Sequence, residues 1–302
     1  MSWIDSLRCE DMDSFCPHCE NTARWMIERY PEHTGDHCPC FYAPQEARHL
    51  WETSFERRPR GLRSALIDHS KQVGIELEFS GAPYYDSLAH HDDSLFGCDL
   101  DGTAGVFVEF VTPPLKGAEI PSQLQLIGDR ARRDDWRVDE SCGVHVHVDA
   151  TEYSDDQLMA IANAWSAVER YVLDMVPCHR RTNYFCRPVD FYTDRAGRHV
   201  SELRTFDDFM DLVYSRYAAM NPSSYAKHRT IEFRAMEGTT DMVDVLNWSN
   251  MLGQFVERAA STSRFVWTGG RLSRSNWNGL RRQWFSAGTI EWMDKRTERF
   301  AI

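Results

Sequence analysis

Lysine is nearly missing from this chain: only Lys71, Lys116, Lys227 and Lys295 occur among 302 residues. Long apolar runs are missing too, and none approaches the roughly 18 residues that a membrane span needs. Positive charge is in deficit, with 34 Lys+Arg against 46 Asp+Glu and a formal charge of −12, which argues against holding nucleic acid by charge. The segment from Met1 to Cys16 is acidic and lacks the basic-then-apolar order of a secretory signal, so a cytoplasmic location is expected. Internal repeats and low-complexity tracts are absent as well.

What is present fits a folded protein: 42% hydrophobic and 12% aromatic residues, enough for a sizeable core. Three zones follow from composition. Residues 1–45 are rich in Cys and His and read as a small module, 46–72 as an Arg-rich linker, and 73–302 as the main domain. Five of nine cysteines crowd the first forty residues. Cys16, Cys19, Cys38 and Cys40 make a C-x2-C-x18-C-x-C pattern near that of a zinc ribbon, and structural Zn²⁺ is expected there, with Cys9, His33 and His37 as substitute ligands. Such a metal would fold a module too small for its own core.

Ser154-Asp155-Asp156-Gln157 has capping-box spacing, and Leu158, Ile161, Trp165, Val168 and Val172 recur near a 3.6 period, predicting a helix that ends before Pro177. A second helix is predicted from Phe206 through Tyr217 to Asn221-Pro222. A third starts near Asp241 and carries Val245, Trp248, Leu252 and Phe255; the tail from Gly269 reads as one more packed helix.

Four short segments read as strands. Period-2 alternation puts Ile75, Leu77 and Phe79 on one face and Glu76 with Glu78 on the other. Likewise His145, His147 and Asp149 oppose valines, Glu232 and Arg234 share a face, and Glu109 stands alone among apolar residues in 107–111. Any one of these could be an ordinary wet sheet face. Together they are unusual, because such faces normally mix Thr, Ser, Gln and Lys. Carboxylates this close repel unless a cation sits among them, and oxygen ligands with an imidazole suit Mg²⁺ or Mn²⁺ better than zinc. An arginine beside such a cation suits phosphate or carboxylate handling.

The segments GIELEF (Gly74 to Phe79), DGTAGVFVEFVTPP (Asp101 to Pro114), CGVHVHVD (Cys142 to Asp149) and HRTIEFRAMEGT (His228 to Thr239) resemble, in that order, the motif series of the putative amidoligase family. This family is related to glutamine synthetase and glutamate-cysteine ligase. The resemblance implies an α+β fold, a bent antiparallel sheet backed by helices as in the glutamine synthetase catalytic domain, with divalent metal and ATP on its polar face. It implies that Glu76, Glu78, Glu109, His145 and Glu232 hold Mg²⁺ or Mn²⁺, and that Arg234 and His147 face the transferred phosphate. Arg181, Arg216 and Asn221 are the nearest matches to nucleotide-side residues of the family. Glutamine synthetase has a further glutamate after its third ligand, where this chain has Val111-Thr112-Pro113-Pro114; Asp99 or Asp101 are the substitutes at hand.

The activity so implied is an ATP-dependent carboxylate-amine ligase working through an acyl phosphate, with carboxylate and amine substrates free or borne on a peptide or protein. Two other readings use the same residues. One is a metal-dependent hydrolase that activates water; the other is a non-catalytic zinc-bearing adaptor.

Overall fold

The computed structural model describes residues 62, 67–80, 97–101, 107–133, 135–192, 197, 199–262 and 272–301, with backbone alone for 97–101, 107 and 108. The expected N-terminal module with Cys16, Cys19, Cys38 and Cys40, and most of the expected linker, lie outside them.

Six strands form one sheet among the described residues: β1 (Val73–Phe79), β2 (Gly97–Asp101), β3 (Phe107–Val111), β4 (Gly143–Asp149), β5 (Met220–Asn221) and β6 (Thr230–Glu237). Their order is β2-β3-β1-β4-β6-β5, and every pairing is antiparallel. Alternation governs β1 as its sequence requires, with Val73, Ile75, Leu77 and Phe79 buried and the residues between them half-buried. Helices cover the apolar face: α1 (Glu119–Arg133), α2 (Asp155–Leu173) and α6 (Met242–Ser261). Trp165 of α2 and Phe255 of α6 meet Phe233 of β6 with centroids 4.8 and 6.2 Å apart, while Phe79 and Phe110 pack on Trp136. The other face of the sheet carries Glu76, Glu78, His145, His147 and Glu232.

Helix α2 begins where expected. Ser154 accepts from the Gln157 backbone N–H, and the Gln157 side chain accepts in return from the Ser154 N–H. Helix α6 is capped by Asp241 and carries the predicted apolar stripe. The predicted helix from Phe206 to Tyr217 is corrected: α4 (Phe206–Leu212) stops early, and Met220-Asn221 run as β5. Hydrogen bonding explains the break. Residues 217–219 join an extended ladder, with Arg187 N–H donating to Tyr217 O, Ala219 N–H to Arg187 O and Arg234 N–H to Ala219 O. The tail is two helices rather than one, α7 (Arg274–Trp284) and α8 (Ala287–Arg299), because Ser286 starts a new helix as its cap. Short helices α3 (Cys178–Arg181) and α5 (Ser223–His228) flank the open face.

Residues 67–72, counted with the linker in the sequence reading, lie along α6. Asp68 N–H donates to Asn250 Oδ1 at 2.9 Å, Ser70 donates to Glu257, and the His69 ring fills the space that a side chain at Gly253 would take. No helix among the described residues is long and apolar enough to cross a membrane.

Candidate active site on the polar face of the sheet

Strand register assembles the ionisable residues. Glu78 of β1 stands opposite Glu109 of β3, and Glu76 stands opposite His145 of β4. His147 and Asn221 both stand opposite Glu232 of β6, on its two sides. All of them line one cavity of about 300 Å³, together with Arg216, Arg234 and the α5 residues Ser223, Ser224, Lys227 and His228.

Two clusters of potential metal ligands occur among the described residues: Glu76 with His145 and Glu232, and Glu78 with Glu109 and His145. Within each, the donor atoms lie within 4.8 Å of one another. Carboxylate oxygens with one imidazole nitrogen fit a hard divalent cation such as Mg²⁺ or Mn²⁺. His145 belongs to both clusters. Its Nδ1 lies 3.0 Å from Glu76 Oε2 and its Nε2 3.7 Å from Glu78 Oε1. A neutral imidazole has one lone pair, so His145 can serve one cluster at a time.

The polar contacts around these groups are dense. His147 Nε2 lies 3.1 Å from Glu76 Oε1, and its Nδ1 lies 2.9 Å from Thr230 Oγ1. Arg234 pairs with Glu232, and Asn221 Nδ2 donates to Glu232 Oε2 at 2.6 Å. Asn221 Oδ1 in turn accepts from the Ser223 N–H and hydroxyl, which locks its orientation. Burial alone would raise the Glu76 pKa, but the hydrogen bonds to His145 and His147 outweigh it and hold this carboxyl well below its usual range. Burial likewise disfavours a carboxylate at Glu232, and the charges of Arg234, His145 and His147 reverse that. Burial disfavours a charged His147; the hydrogen bond to Glu76 and the charges of Glu232 and Glu76 win, raising its pKa.

Of the residues singled out by sequence, Glu76, Glu78, Glu109, His145, His147, Arg216, Asn221, Glu232 and Arg234 come together on this cavity. Arg181 does not. Its guanidinium donates to the carbonyls of Val176, Asp174 and Phe300, where it ties α3 to the end of α8. Asp99 stands opposite Glu109 in the β2·β3 register. Sequence reasoning passed over the α5 residues and Arg180, which no alternation marks because both lie on short helices.

A family model described as "Putative amidoligase enzyme" matches residues 84–256, more than half of the chain. The chain belongs to this family. The amidoligase match takes in Glu109, His145, His147, Asn221, Glu232 and Arg234, whereas Glu76 and Glu78 precede it on β1. No curated protein matches the sequence.

Proposed function

We propose that this amidoligase is an ATP-dependent carboxylate-amine ligase of the glutamine synthetase-like type. The observation that carries the reading is the joining of two carboxylate-imidazole clusters with Arg234 in a single cavity. Glu76, Glu78, Glu109, His145 and Glu232 would hold Mg²⁺ or Mn²⁺, which neutralises phosphate charge when bound. Arg234 lines the same cavity and pairs with Glu232, and from there its guanidinium would fork onto a phosphoryl group.

Two steps complete the chemistry. A substrate carboxylate oxygen attacks the γ-phosphorus of ATP, giving an acyl phosphate and ADP. An amine then attacks the acyl carbon, expels phosphate and loses a proton, leaving an amide. The residues of this chain would bind, orient and neutralise. Arg234 and His147 would stabilise the phosphoryl oxygens, and Asn221 would keep Glu232 aimed at the cavity. Arg216, on the exposed rim, would meet the outer part of the nucleotide. For residues 1–45 we propose structural zinc on Cys16, Cys19, Cys38 and Cys40, tested by metal analysis of the full chain before and after Cys16→Ser.

Thermal unfolding with Mg²⁺ or Mn²⁺, alone and with ATP, ADP or AMP, tests the ligase reading on wild type and Glu78→Gln. A ligand at 100 times its Kd adds about 2.7 kcal/mol. The expected result is a metal-dependent ATP shift that Glu78→Gln abolishes, followed by ADP release on screening carboxylates with amines. Stabilisation by metal alone, with turnover that needs no nucleotide, would replace the ligase by a hydrolase.

A further inference from the structure

Between the pairs Val146 with Phe233 and Val144 with Met236, β4 contributes one residue, His145, and β6 contributes two, Arg234 and Ala235. A bulge of this kind takes backbone groups out of the ladder and re-aims the side chains beside it. One side chain from outside the sheet meets both carbonyls of the bulge. Arg180, on α3, donates through Nη2 to Arg234 O at 2.7 Å and through Nε to Ala235 O at 3.5 Å. It is 2% exposed.

The same Nη2 also borders the Glu78 cluster. A Cβ built on Gly143 would lie 3.0 Å from Arg180 Nη2, 3.1 Å from His145 Nε2 and 3.3 Å from Glu78 Oε2. Because Gly143 has no side chain, a guanidinium, an imidazole and a carboxylate converge there from three elements. The carboxylate is anchored as well, since the Gly143 N–H donates to Glu78 Oε2.

We propose that Arg180 is a positioning residue of this site: it fixes the bulge that aims Arg234 and places permanent positive charge beside Glu78 and His145. The proposal rests on the metal-binding part of the ligase reading. Without a cation, the charge of Arg180 offsets the repulsion between Glu78 and Glu109, which face each other across β1 and β3. Once a divalent cation enters the Glu78 cluster, the same charge opposes it. Removing the charge therefore tightens cation binding, whereas loss of a mere scaffold would weaken it.

Mn²⁺ binding to the full chain, followed by the electron paramagnetic resonance signal of free Mn²⁺, separates the two. Wild type is compared with Arg180→Lys, Arg180→Met, Arg180→Gln and Glu78→Gln, with the metal-free melting temperature of each recorded. Arg180→Gln keeps an N–H donor for the bulge without the charge, so it covers the case in which Arg180→Met does not fold. The expected result is about tenfold tighter Mn²⁺ binding in the two neutral variants and a change within about twofold in Arg180→Lys. Weaker or unaltered binding in the neutral variants, with wild-type binding still lost in Glu78→Gln, overturns the role of Arg180 and leaves the ligase reading standing. Absence of Mn²⁺ binding in every protein overturns both.

Discussion

Glu76, half-buried on β1, and Glu169, fully buried, are treated by their surroundings in opposite ways. At Glu76, two histidines outweigh desolvation and keep the carboxylate charged. Glu169 lies inside α2, where burial, with the charge of Asp190 added, pushes its pKa up to about 8 despite donors from Trp165 Nε1 and the Val189 N–H. Its effect on folding has a definite sign. Between about pH 4.5 and 8 the unfolded chain has released a proton that the native state keeps, so stability falls as pH rises through that window. Urea unfolding of Glu169→Gln should show a flatter profile, with the loss between pH 5 and 8 reduced by roughly 2–4 kcal/mol relative to wild type. An unchanged slope would mean that Glu169 ionises normally. At this scale the sequence was legible wherever alternation marks a face, as with Glu76 and Glu78. It was not legible at Arg180 and Arg181, adjacent and chemically identical, because only the turn of α3 decides which one reaches the sheet and which one reaches Phe300.

Among the elements, α8 is tied to three other parts of the chain by one arginine. Arg296 Nη2 contacts both oxygens of Glu237 at 2.6 and 2.7 Å, Nη1 reaches Asp244 at 3.0 Å, and Nε donates to Met175 O. Trp292 and Arg299 of the same helix add further bonds to Asp244. These pairs link the end of β6, the start of α6 and the loop after α2. Removing one partner from a buried ion pair strands the others, so Arg296→Met should cost about 3–5 kcal/mol in chemical denaturation, and Glu237→Gln in the same chain should recover part of it. Of the strands bearing ionisable residues, β1, β3, β4 and β6 were read from the sequence, whereas β2, with Asp99 and Asp101, was not. β5 was not, since a two-residue strand has no period and exists only through its pairing with β6. The helix from Phe206 was overextended for a related reason: Val213 and Tyr217 continue a helical spacing, and the ladder partners that draw the chain away are more than ten residues distant in sequence.

Over the whole molecule, the segment preceding β1 is docked on the helical layer behind the sheet. Lys71 approaches Asp149 of β4 at 3.9 Å, Asp68 and Ser70 bond to α6, and His69 covers Gly253. In an exposed helix interior, alanine would be favoured over glycine by roughly 0.5–1 kcal/mol. Here the new Cβ would lie 2.3 Å from the His69 ring, so overpacking of about 1–3 kcal/mol should dominate. Gly253→Ala should therefore lower the melting temperature and speed proteolysis ahead of Val73; a raised melting temperature would show that residues 67–72 do not hold this position.

The alternation of β1 bears on how the chain assembles. Slipping β1 by one residue against its neighbours would carry Glu76 and Glu78 into the apolar layer now filled by Ile75, Leu77 and Phe79, and would turn those three toward the cavity. Each carboxyl forced into that layer would cost several kcal/mol. The acidic residues thus act as proofreaders during folding, rejecting misaligned sheets before any substrate is met. Replacing them with neutral side chains would remove two of the proposed metal ligands and, with them, part of the penalty on misassembly.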